Sequence, residues 1–332
     1  MKSILGAGNA LTDLVFTLPD KSLLEGLGLR AGSMTHVGRQ EQERILGLLE
    51  GCGRAVIPGG SAANTVAATA RLGLSSGFIG MVGDDAIGRI YAEKMQGSGV
   101  EAHLLKGKNP SGTAIAIITP SDGERTFATY LGAALELSPE HIDCNLFLGY
   151  DIFHLEGYLI QCPQVVEQML RCAKLRGMTI SFDLGSFNIV ESNRSLLQSL
   201  VGEYVDIVFA NGEEAEAFTG EGPEGAAQAI SSMGKGKIAV VKLGADGSIV
   251  RRGSQVCRVE AKRVKAIDTT GAGDAYAAGF LYAFAHGADL NDCGVCGTVL
   301  ASEAVVALGP KIGKNGWEVV KKGVGEILKA KD

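Results

Sequence analysis

The sequence predicts an α/β fold whose central sheet is mainly parallel and carries helices on both faces. Apolar runs of strand length alternate with longer segments of helical periodicity, and this alternation is typical of parallel sheets. The 47 glycines fall singly or in short motifs between these segments, as in turns that join strands to helices. The predicted strands are Ser3–Gly8, Ser75–Met81, Ile152–Leu155, Met178–Asp183, Ile207–Ala210 and Lys237–Leu243.

Segments with helical spacing of apolar residues lie between or after these strands. Each is long enough to cover one face of a sheet, and three of them close the C-terminal third of the chain. The predicted helices are Ser61–Leu72, Ala86–Gly97, Pro163–Arg176, Gly212–Thr219, Gly225–Met233, and about 272–286, 289–307 and 315–329.

Two segments, at about 14–37 and 100–131, depart from this pattern. They are richer in Thr and Ser and alternate apolar with polar residues, as short antiparallel strands do. We expect them to form a small β layer that projects from the main sheet. The chain contains no repeat, low-complexity tract or linker, so residues 1–332 are expected to form one domain.

The charge balance argues against nucleic-acid binding. The 31 basic and 37 acidic side chains give a formal net charge of −6, whereas a non-specific nucleic-acid binder needs a basic surface. The polar residues Asn9, Thr12 and Asp13 interrupt the N-terminal apolar run too early for a signal-peptide core. No apolar run approaches the about 20 residues of a membrane span, so a cytoplasmic protein is expected.

The seven cysteines are scattered and odd in number, which predicts reduced thiols. Cys293-Gly-Val-Cys296 matches a Cys-x-x-Cys spacing. It has no second pair or nearby histidine for zinc, and it falls in an apolar helical stretch, so both cysteines are expected to act as small hydrophobic residues.

The segment Asp268-Thr-Thr-Gly-Ala-Gly-Asp274 runs directly into an apolar helical stretch. A glycine-rich turn before a helix leaves backbone N–H groups unpaired at the positive end of the helix dipole. Gly271, Ala272 and Gly273 are therefore a predicted anion hole. A carboxylate beside a bound phosphate costs Coulomb energy unless it accepts a proton from an attacking hydroxyl, so Asp274 is the predicted catalytic base. The alternative is a glycine C-cap followed by a surface Asp.

Two further motifs are Gly59-Gly60-Ser-Ala-Ala-Asn64 and, after a predicted buried strand, Asn211-Gly-Glu-Glu214. Together with the Asp268–Asp274 segment they resemble the signatures of the ribokinase-like, or PfkB, family of carbohydrate and nucleoside kinases. Leu131-Gly-Ala-Ala134 and Leu155-Glu-Gly-Tyr-Leu159 are similar to a bacterial branch labelled adenosine kinase or sugar kinase. The resemblance covers nearly the whole chain and implies a ribokinase-like fold in which the small β layer acts as a lid.

The resemblance implies an acceptor site near the carboxyl ends of the strands. Asp13 follows the first strand and can accept two hydrogen bonds from sugar hydroxyls. Asn64 is expected to hold the same sugar, with the close backbone approach that Gly59 and Gly60 permit. Glu156 ends another strand and is a weaker member, for which a charged residue opening a loop is an equal alternative.

On the donor side, the turn at Lys242, Gly244 and Gly247 resembles the family's ATP-binding turn, although a glycine pair is also an ordinary hairpin signal. Asn211 and Glu214 are expected to order water around Mg²⁺. Asn211 can also cap the helix that begins at Gly212, and both roles are compatible.

Asp268 and Thr270 resemble a monovalent-cation site that lies near Gly309 in relatives. Here the stretch Gly309-Pro310-Lys311 departs from the family's commoner Gly-Ala-Arg, which leaves a requirement for K⁺ open. The implied cofactors are therefore ATP and Mg²⁺, with K⁺ as a further candidate.

The implied reaction is transfer of the γ-phosphoryl group of ATP to a primary hydroxyl of a sugar or ribonucleoside, such as an adenosine-like nucleoside or a ribose-type sugar. Phe16, His36, Phe127 and Tyr130 could build a slot for a nucleoside base, whereas a free sugar needs polar groups there. The alternatives are a 2-keto-3-deoxygluconate or fructose-type sugar kinase and a catalytically weak ligand sensor. Relatives dimerise through lid strands in some cases, so monomer and homodimer both stay open.

Two other enzyme classes fit the sequence poorly. Gly6-Ala-Gly8-Asn-Ala-Leu11 lacks the third glycine of the dinucleotide-binding fingerprint and precedes an extended segment, which argues against a dehydrogenase. The chain has no Gly-x-x-x-x-Gly-Lys-Ser/Thr motif, which argues against a P-loop kinase.

Overall fold

The computed structural model describes residues 2–18, 22–29, 34–119, 124–307, 309 and 311–329. The strands in this part of the chain are β1 (Ser3–Ala7), β2 (Leu11–Thr17), β3 (Met34–His36), β4 (Arg54–Pro58), β5 (Ser75–Gly83), β6 (Val100–Gly107), β7 (Gly112–Thr119), β8 (Glu124–Tyr130), β9 (Ile152–Glu156), β10 (Thr179–Asp183), β11 (Ile207–Asn211), β12 (Ile238–Lys242), β13 (Ser248–Arg252) and β14 (Gln255–Val259).

The α-helices are mostly amphipathic and begin or end at the predicted turns. They are α1 (Ser22–Leu27), α2 (Arg39–Leu48), α3 (Ser61–Leu72), α4 (Ala86–Gly97), α5 (Pro163–Leu175), α6 (Phe187–Tyr204), α7 (Gly212–Thr219), α8 (Pro223–Ser232), α9 (Ala272–Ala285), α10 (Leu290–Val305) and α11 (Lys314–Lys329). Short 3₁₀ segments lie at 132–136, 139–141, 144–147, 157–161 and 244–246.

The main sheet has nine strands in the order β14-β13-β12-β11-β10-β9-β1-β5-β6. Strands from β12 to β6 pair in parallel, and β13 and β14 extend one edge in antiparallel pairing. One face packs against α5 to α8, and the other packs against α3, α4 and α9 to α11. This arrangement confirms the predicted α/β fold class. The carboxyl ends of the parallel strands meet along one edge, where ligands bind in such folds.

The second sheet is small, in the order β3-β8-β7-β2-β4. Its buried face packs on α1 and α2, with Phe16 and Ile117 in the core. The prediction that the segment at 100–131 belongs to the small β layer was wrong for its first residues, because β6 pairs with β5 at the edge of the main sheet. The prediction also missed β4, which lies outside the segment at 14–37 and forms an edge strand of the small sheet. Positions 19–21, 30–33 and 120–123 of the predicted segments lie outside the described residues.

The helix α6 was absent from the sequence prediction although it is 18 residues long. Asn193 takes a non-helical backbone conformation within it, with φ of −129° and ψ of 18°, and so divides it into two shorter runs. The first run is short and polar, whereas the second places Leu197, Leu200 and Val201 at helical spacing, a signal that the sequence prediction missed. Val190, Leu197 and Val201 pack onto the sheet and stabilise this helix.

The expectation of reduced thiols was wrong for two residues, because Cys144 and Cys172 form a disulfide. Cys144 opens a 3₁₀ segment and Cys172 lies on α5, and their Cα atoms are 5.0 Å apart. A separation of 28 residues in the sequence gives no pairing signal, so only the fold reveals the contact. Cys293 and Cys296 are free and buried in the core beside α9, as expected for small hydrophobic residues.

Among the described residues, no helix has both the length and the apolar character needed to cross a bilayer.

The contact between α9 and α10 depends on a glycine. A Cβ added at Gly279 of α9 would overlap the carbonyl oxygen of Cys296 on α10. Because this neighbour is backbone, Gly279→Ala is expected to destabilise the protein by about 1–3 kcal/mol through overpacking. Urea unfolding measures the change.

Gly325→Ala on α11 is the matched control, because an added Cβ there meets nothing within 4 Å. It is expected to stabilise the protein by about 0.5–1 kcal/mol, since Ala has the higher helix propensity. Equal effects of the two substitutions would contradict the close packing of α9 on α10.

Candidate active site

A cavity of about 1040 Å³ lies between the carboxyl edge of the main sheet, the small sheet and the first turn of α9. It is large enough for two substrates at once, because ligand pockets usually range from about 300 to 1,000 Å³. Among the predicted site residues, the lining includes Asp13, Gly60, Asn64, Glu156, Asn211, Glu214, Lys242, Gly244, Gly247, Thr270, Gly271, Ala272, Gly273 and Asp274.

Asp274 is the third residue of α9 and is held from α3. Its Oδ1 accepts a hydrogen bond from the Ser61 hydroxyl at 2.7 Å, and its Oδ2 accepts one from Asn64 Nδ2 at 2.9 Å. Burial raises the pKa of the Asp274 carboxyl to about 6, against the effect of these two hydrogen bonds. A carboxylate with such a pKa is mostly ionised at neutral pH and can still accept a proton.

The predicted anion hole lies at the N-terminus of α9. Gly271 caps the helix with a φ of 74°, a left-handed conformation that favours glycine. The Ala272 N–H donates to the Thr269 carbonyl oxygen at 3.2 Å, so it is engaged within the turn. The N–H groups of Gly271 and Gly273 have no hydrogen-bond acceptor among the described residues and line the cavity. The geometry therefore offers two backbone donors where three were predicted.

The predicted acceptor side lies between β2 and the start of α3. Asp13 packs against Gly59, where an added Cβ would come within 2.6 Å of Asp13 Oδ1. Gly60 has a φ of 96°, and an added Cβ there would lie 2.5 Å from the carbonyl oxygen of Asn9. The two glycines therefore allow β2 and the loop before it to lie close to the start of α3. The predicted approach of their backbone to a bound sugar stays a prediction.

Glu156 is buried at the end of β9, and both of its carboxylate oxygens bind backbone. Oε1 accepts the Asn9 N–H and Oε2 accepts the Ala62 N–H, each at 2.8 Å. Gly8 packs directly against the carboxylate. Burial raises the pKa of Glu156 to about 7, although the two backbone hydrogen bonds oppose the shift. This carboxylate therefore connects the loop after β1 to the N-terminus of α3.

Asn211 and Glu214 form a capping box at the start of α7. Asn211 Oδ1 accepts the Glu214 N–H at 2.8 Å, and Glu214 Oε2 accepts the Asn211 N–H at 2.8 Å. Asn211 Nδ2 also donates to Glu214 Oε1 at 2.7 Å. Burial, followed by the charge of Asp183, raises the pKa of Glu214 to about 7. Asn211 therefore caps α7, which is the alternative role considered from the sequence. Each carboxylate oxygen of Glu214 keeps a second lone pair that can accept from water.

Lys242 ends β12 and pairs with Asp183 at the end of β10, with 2.9 Å between Lys242 Nζ and Asp183 Oδ2. Burial lowers the pKa of Lys242, but the charges of Asp183 and Glu214 outweigh it, so the pKa is raised overall. The turn after β12 holds Gly244 and Gly247 and joins β12 to β13. It is therefore a hairpin, and it also lines the cavity.

Asp268 joins the loop before α9 to the segment after α10. Its Oδ1 accepts the Thr270 N–H at 3.0 Å, and its Oδ2 accepts the Gly309 N–H at 2.7 Å. Pro310, which belongs to the predicted monovalent-cation region, lies outside the described residues. In the part of the chain that the structure describes, no group of three or more His, Cys, Asp or Glu side chains could hold a metal ion directly.

The predicted aromatic slot was wrong in part. His36 and Phe127 line the cavity, whereas Phe16 is 2% exposed and lies in the core of the small sheet. Strand alternation explains this, because Phe16 points to the α1 and α2 side of β2. Tyr130 is not among the described lining residues.

Two residues of the site were missed from the sequence. Ser61 directly follows the glycine pair, so its position at the start of α3 was the available signal. Asp183 ends a predicted strand next to the carboxyl edge of the sheet, and a polar residue at that position was likewise a signal.

A free helix N-terminus beside a buried carboxylate, at the carboxyl edge of a parallel sheet, suits phosphoryl transfer, and the whole fold is that of the ribokinase-like class. The family model described as pfkB family carbohydrate kinase matches residues 46–314. The chain therefore belongs to the pfkB family, and it is a phosphotransferase with an alcohol group as acceptor. Membership of this kinase family implies the use of ATP and usually of a divalent metal.

Relatives of known name carry several substrate labels. The solved structure of adenosine kinase from Sinorhizobium meliloti is similar with a TM-score of 0.86 and 32% identity, and the match covers 97% of this chain and 99% of that one. A probable sugar kinase from Rhizobium etli CFN 42 gives a TM-score of 0.87 and 30% identity, over 98% and 99% of the two chains. An ATP-dependent ribose-1-phosphate kinase from Halopiger xanaduensis is 31% identical over 82% of this chain and 92% of its own length.

The protonation of Asp274 predicts an acidic limb in the rate profile. If Asp274 is the base, kcat is expected to fall as the pH drops through about 6, because the carboxyl then holds the proton it needs to accept. Ser61→Ala removes a hydrogen bond that favours the ionised form, so the limb is expected to shift to higher pH.

Ser232→Ala is the control for this shift, because Ser232 is exposed at the end of α8 and donates to the Gln228 carbonyl oxygen, outside the cavity. It is expected to leave the pH profile unchanged. A Ser61→Ala limb at or below the pH of the parent would contradict the assignment of that limb to Asp274.

Proposed function

We propose that the protein is an ATP-dependent, Mg²⁺-requiring kinase that phosphorylates a primary hydroxyl of an adenosine-like ribonucleoside or a neutral ribose-type sugar. The observation that supports it best is the Asp274 carboxylate. It is buried, held by Ser61 and Asn64, and placed one residue after the free N–H of Gly273. That combination suits a base acting beside a phosphoryl group.

In the proposed reaction, Asp13 and Asn64 align the acceptor hydroxyl with the γ-phosphorus of ATP. A bond forms between the hydroxyl oxygen and this phosphorus, while the bond from phosphorus to the β,γ-bridging oxygen breaks and its electron pair leaves with ADP. Asp274 accepts the hydroxyl proton. The Gly271 and Gly273 N–H groups stabilise negative charge on the transferred group, and the small sheet limits the access of water to the acceptor.

The donor set of Asn211 and Glu214 fits a hydrated magnesium ion. Their direct hydrogen bonds are to each other, and the remaining lone pairs of Glu214 suit water rather than direct coordination. Magnesium would neutralise phosphate charge there. Asp268 and Thr270 stay candidates for K⁺, because the Asp268 carboxylate shapes the loop that leads to Gly271.

The cavity wall supports a neutral acceptor with an apolar part. Its lining on the side of the small sheet consists mainly of Leu11, Met34, Ala114, Phe127 and Leu131. The polar residues there are Asp13, His36 and Thr129, and no described lining residue on this side is Lys or Arg. A phosphate or carboxylate on the acceptor would usually need a cation in this position. An aromatic base would instead be buried by the apolar side chains.

One observation favours the alternative, a sugar acid such as 2-keto-3-deoxygluconate. Desolvation of Lys311, together with the charges of Lys94 and Arg71, lowers the pKa of Lys311 to about 8. The negative charge of Asp13 acts on the same ammonium group and opposes this shift. Lys311 lies outside the cavity lining, so it would have to move to contact an acceptor. A fructose-type acceptor and a catalytically weak sensor are further outcomes of the tests below.

A cytoplasmic location and the choice between monomer and homodimer stay predictions. The Cys144–Cys172 disulfide bears on the location, because disulfides are uncommon in reducing compartments. Titration of free thiols in protein prepared without oxidant decides whether the disulfide forms in the cell.

A screen of acceptors tests the proposed substrate class. ADP release is measured with adenosine, inosine, ribose, fructose, ribose 1-phosphate and 2-keto-3-deoxygluconate at equal concentration. We expect the highest kcat/KM with a nucleoside, because the apolar wall contributes binding that a bare sugar cannot use. A clear preference for either anionic sugar would contradict the neutral-acceptor proposal, and no turnover with any acceptor would favour a sensor.

Asp274→Asn tests the base. The amide keeps the size of the side chain but cannot accept the hydroxyl proton, so kcat is expected to fall by about 10²–10⁴. Calorimetry is expected to show near-normal affinity for ATP and acceptor, because Asp13 and the glycine N–H groups are unchanged.

Asp292→Asn is the matched control, since Asp292 is also the third residue of its helix, α10, and lies outside the cavity. It is expected to keep normal kcat. An Asp274→Asn variant with more than about a tenth of the parent kcat would exclude Asp274 as the base.

A further inference from the structure

The ion pair between Lys242 and Asp183 spans one strand of the main sheet. Lys242 ends β12 and Asp183 ends β10, with β11 between them. The Gly185 N–H donates to Asp183 Oδ1 at 2.9 Å, while Oδ2 accepts from Lys242 Nζ. One carboxylate oxygen is therefore fixed by backbone, and the other fixes the ammonium.

The ammonium of Lys242 lies against the first turn of α9. A Cβ added at Gly273 would come within 3.1 Å of Lys242 Nζ. Gly273 carries one of the two free N–H groups of the predicted anion hole, and Asp274 follows it. The Lys242 backbone leads directly into the Gly244–Gly247 turn on the ATP side. The ammonium thus lies between the predicted ATP side and the predicted base, where the phosphoryl group would cross.

Lys242 is also the buried cation of this region. Its side chain is 14% exposed and that of Asp183 is 8% exposed. The other described cationic lining residues are Lys262 and Arg263, which are exposed, and Lys262 pairs with Glu303 at 3.1 Å. A charge that is shielded from water acts more strongly on a nearby phosphoryl group than an exposed one does.

We propose that Lys242 stabilises the phosphoryl group during its transfer, not only in bound ATP, and that Asp183 is the positioning residue that holds the ammonium over Gly273. This inference rests on the proposed kinase function. Lys242 keeps its protons through the reaction and donates a hydrogen bond to an oxygen of the phosphoryl group in the transition state of transfer. Because Asp183 prevents the ammonium from following the ground-state phosphate outward, the interaction is strongest when the phosphoryl group reaches the N-terminus of α9.

Lys242→Met separates transition-state stabilisation from ATP binding. We expect kcat to fall by about 10²–10³, as for loss of one donor to a developing charge, with ATP affinity changed less than about threefold. Fluoroaluminate with ADP mimics the phosphoryl group in the transition state of transfer. Its binding is expected to weaken by the same factor as kcat, while ADP alone binds normally. An equal loss of ATP affinity and kcat would overturn the proposal.

Lys237→Met is the matched control. Lys237 is a buried lysine directly before the same strand, and its ammonium donates to the backbone carbonyls of Val201 and Val205 outside the cavity. It is expected to lower the melting temperature and to leave kcat and fluoroaluminate binding near those of the parent. A loss of kcat like that of Lys242→Met would show that removal of any buried ammonium has this effect, and would overturn the proposal.

Asp183→Asn tests the positioning role. Alone, it is expected to lower kcat by about tenfold, since the ammonium stays but loses its fixed place. Combined with Lys242→Met, it is expected to cost nothing further, because Asp183 acts through Lys242. A further loss of kcat in the double variant would show that Asp183 acts on another group and overturn its assignment.

Failure of the kinase proposal is distinguishable from failure of this one. If the parent protein phosphorylates none of the tested acceptors, the proposed function fails. The comparison of fluoroaluminate binding between the parent and Lys242→Met still decides the role of Lys242. Equal binding in both overturns the role, and selective weakening in the variant supports it.

Discussion

Buried carboxylates bound by backbone N–H groups hold the site together. Glu156, Glu214 and Asp268 each accept at least one backbone N–H from a loop or helix start next to the cavity. A buried carboxylate without such partners would cost several kcal/mol, so each loop is kept where its N–H groups satisfy one. The loops at the carboxyl edge of the sheet are therefore positioned by charge satisfaction as much as by apolar packing. Asp274 differs in that side chains hold it, and side-chain donors can give way to a substrate hydroxyl.

The same constraint explains the small residues around the cavity. Charged groups lie directly against Gly8, Gly59 and Gly273, which contact Glu156, Asp13 and Lys242 respectively. An added methyl group at any of these positions would push a charged side chain away from its partner. The glycine motifs in the sequence thus reflect close approach of charge to backbone, and not only the freedom of a turn.

The sequence was sufficient where a local pattern marks an element. The Asp268–Asp274 segment and the Gly59–Asn64 motif predicted two helix starts, and the alternation of elements predicted the main sheet. The chemical roles assigned to the two motifs stay predictions. It was insufficient where a contact joins distant strands. Asp183 meets Lys242 across 59 residues, and only the strand order brings them together. The disulfide likewise depends on a tertiary contact that no local pattern encodes.

The charge of the site bears on the proposed need for a divalent cation. Asp183, Glu214 and Asp274 all act on Lys242, which leaves this group of four negative before any nucleotide binds. The triphosphate of ATP adds further negative charge beside them, and a single ammonium and two backbone N–H groups offset only part of it. A hydrated cation held by Glu214 would supply part of the remaining positive charge. Its charge would favour the ionised form of Asp274, which the proposed base needs in order to accept the hydroxyl proton.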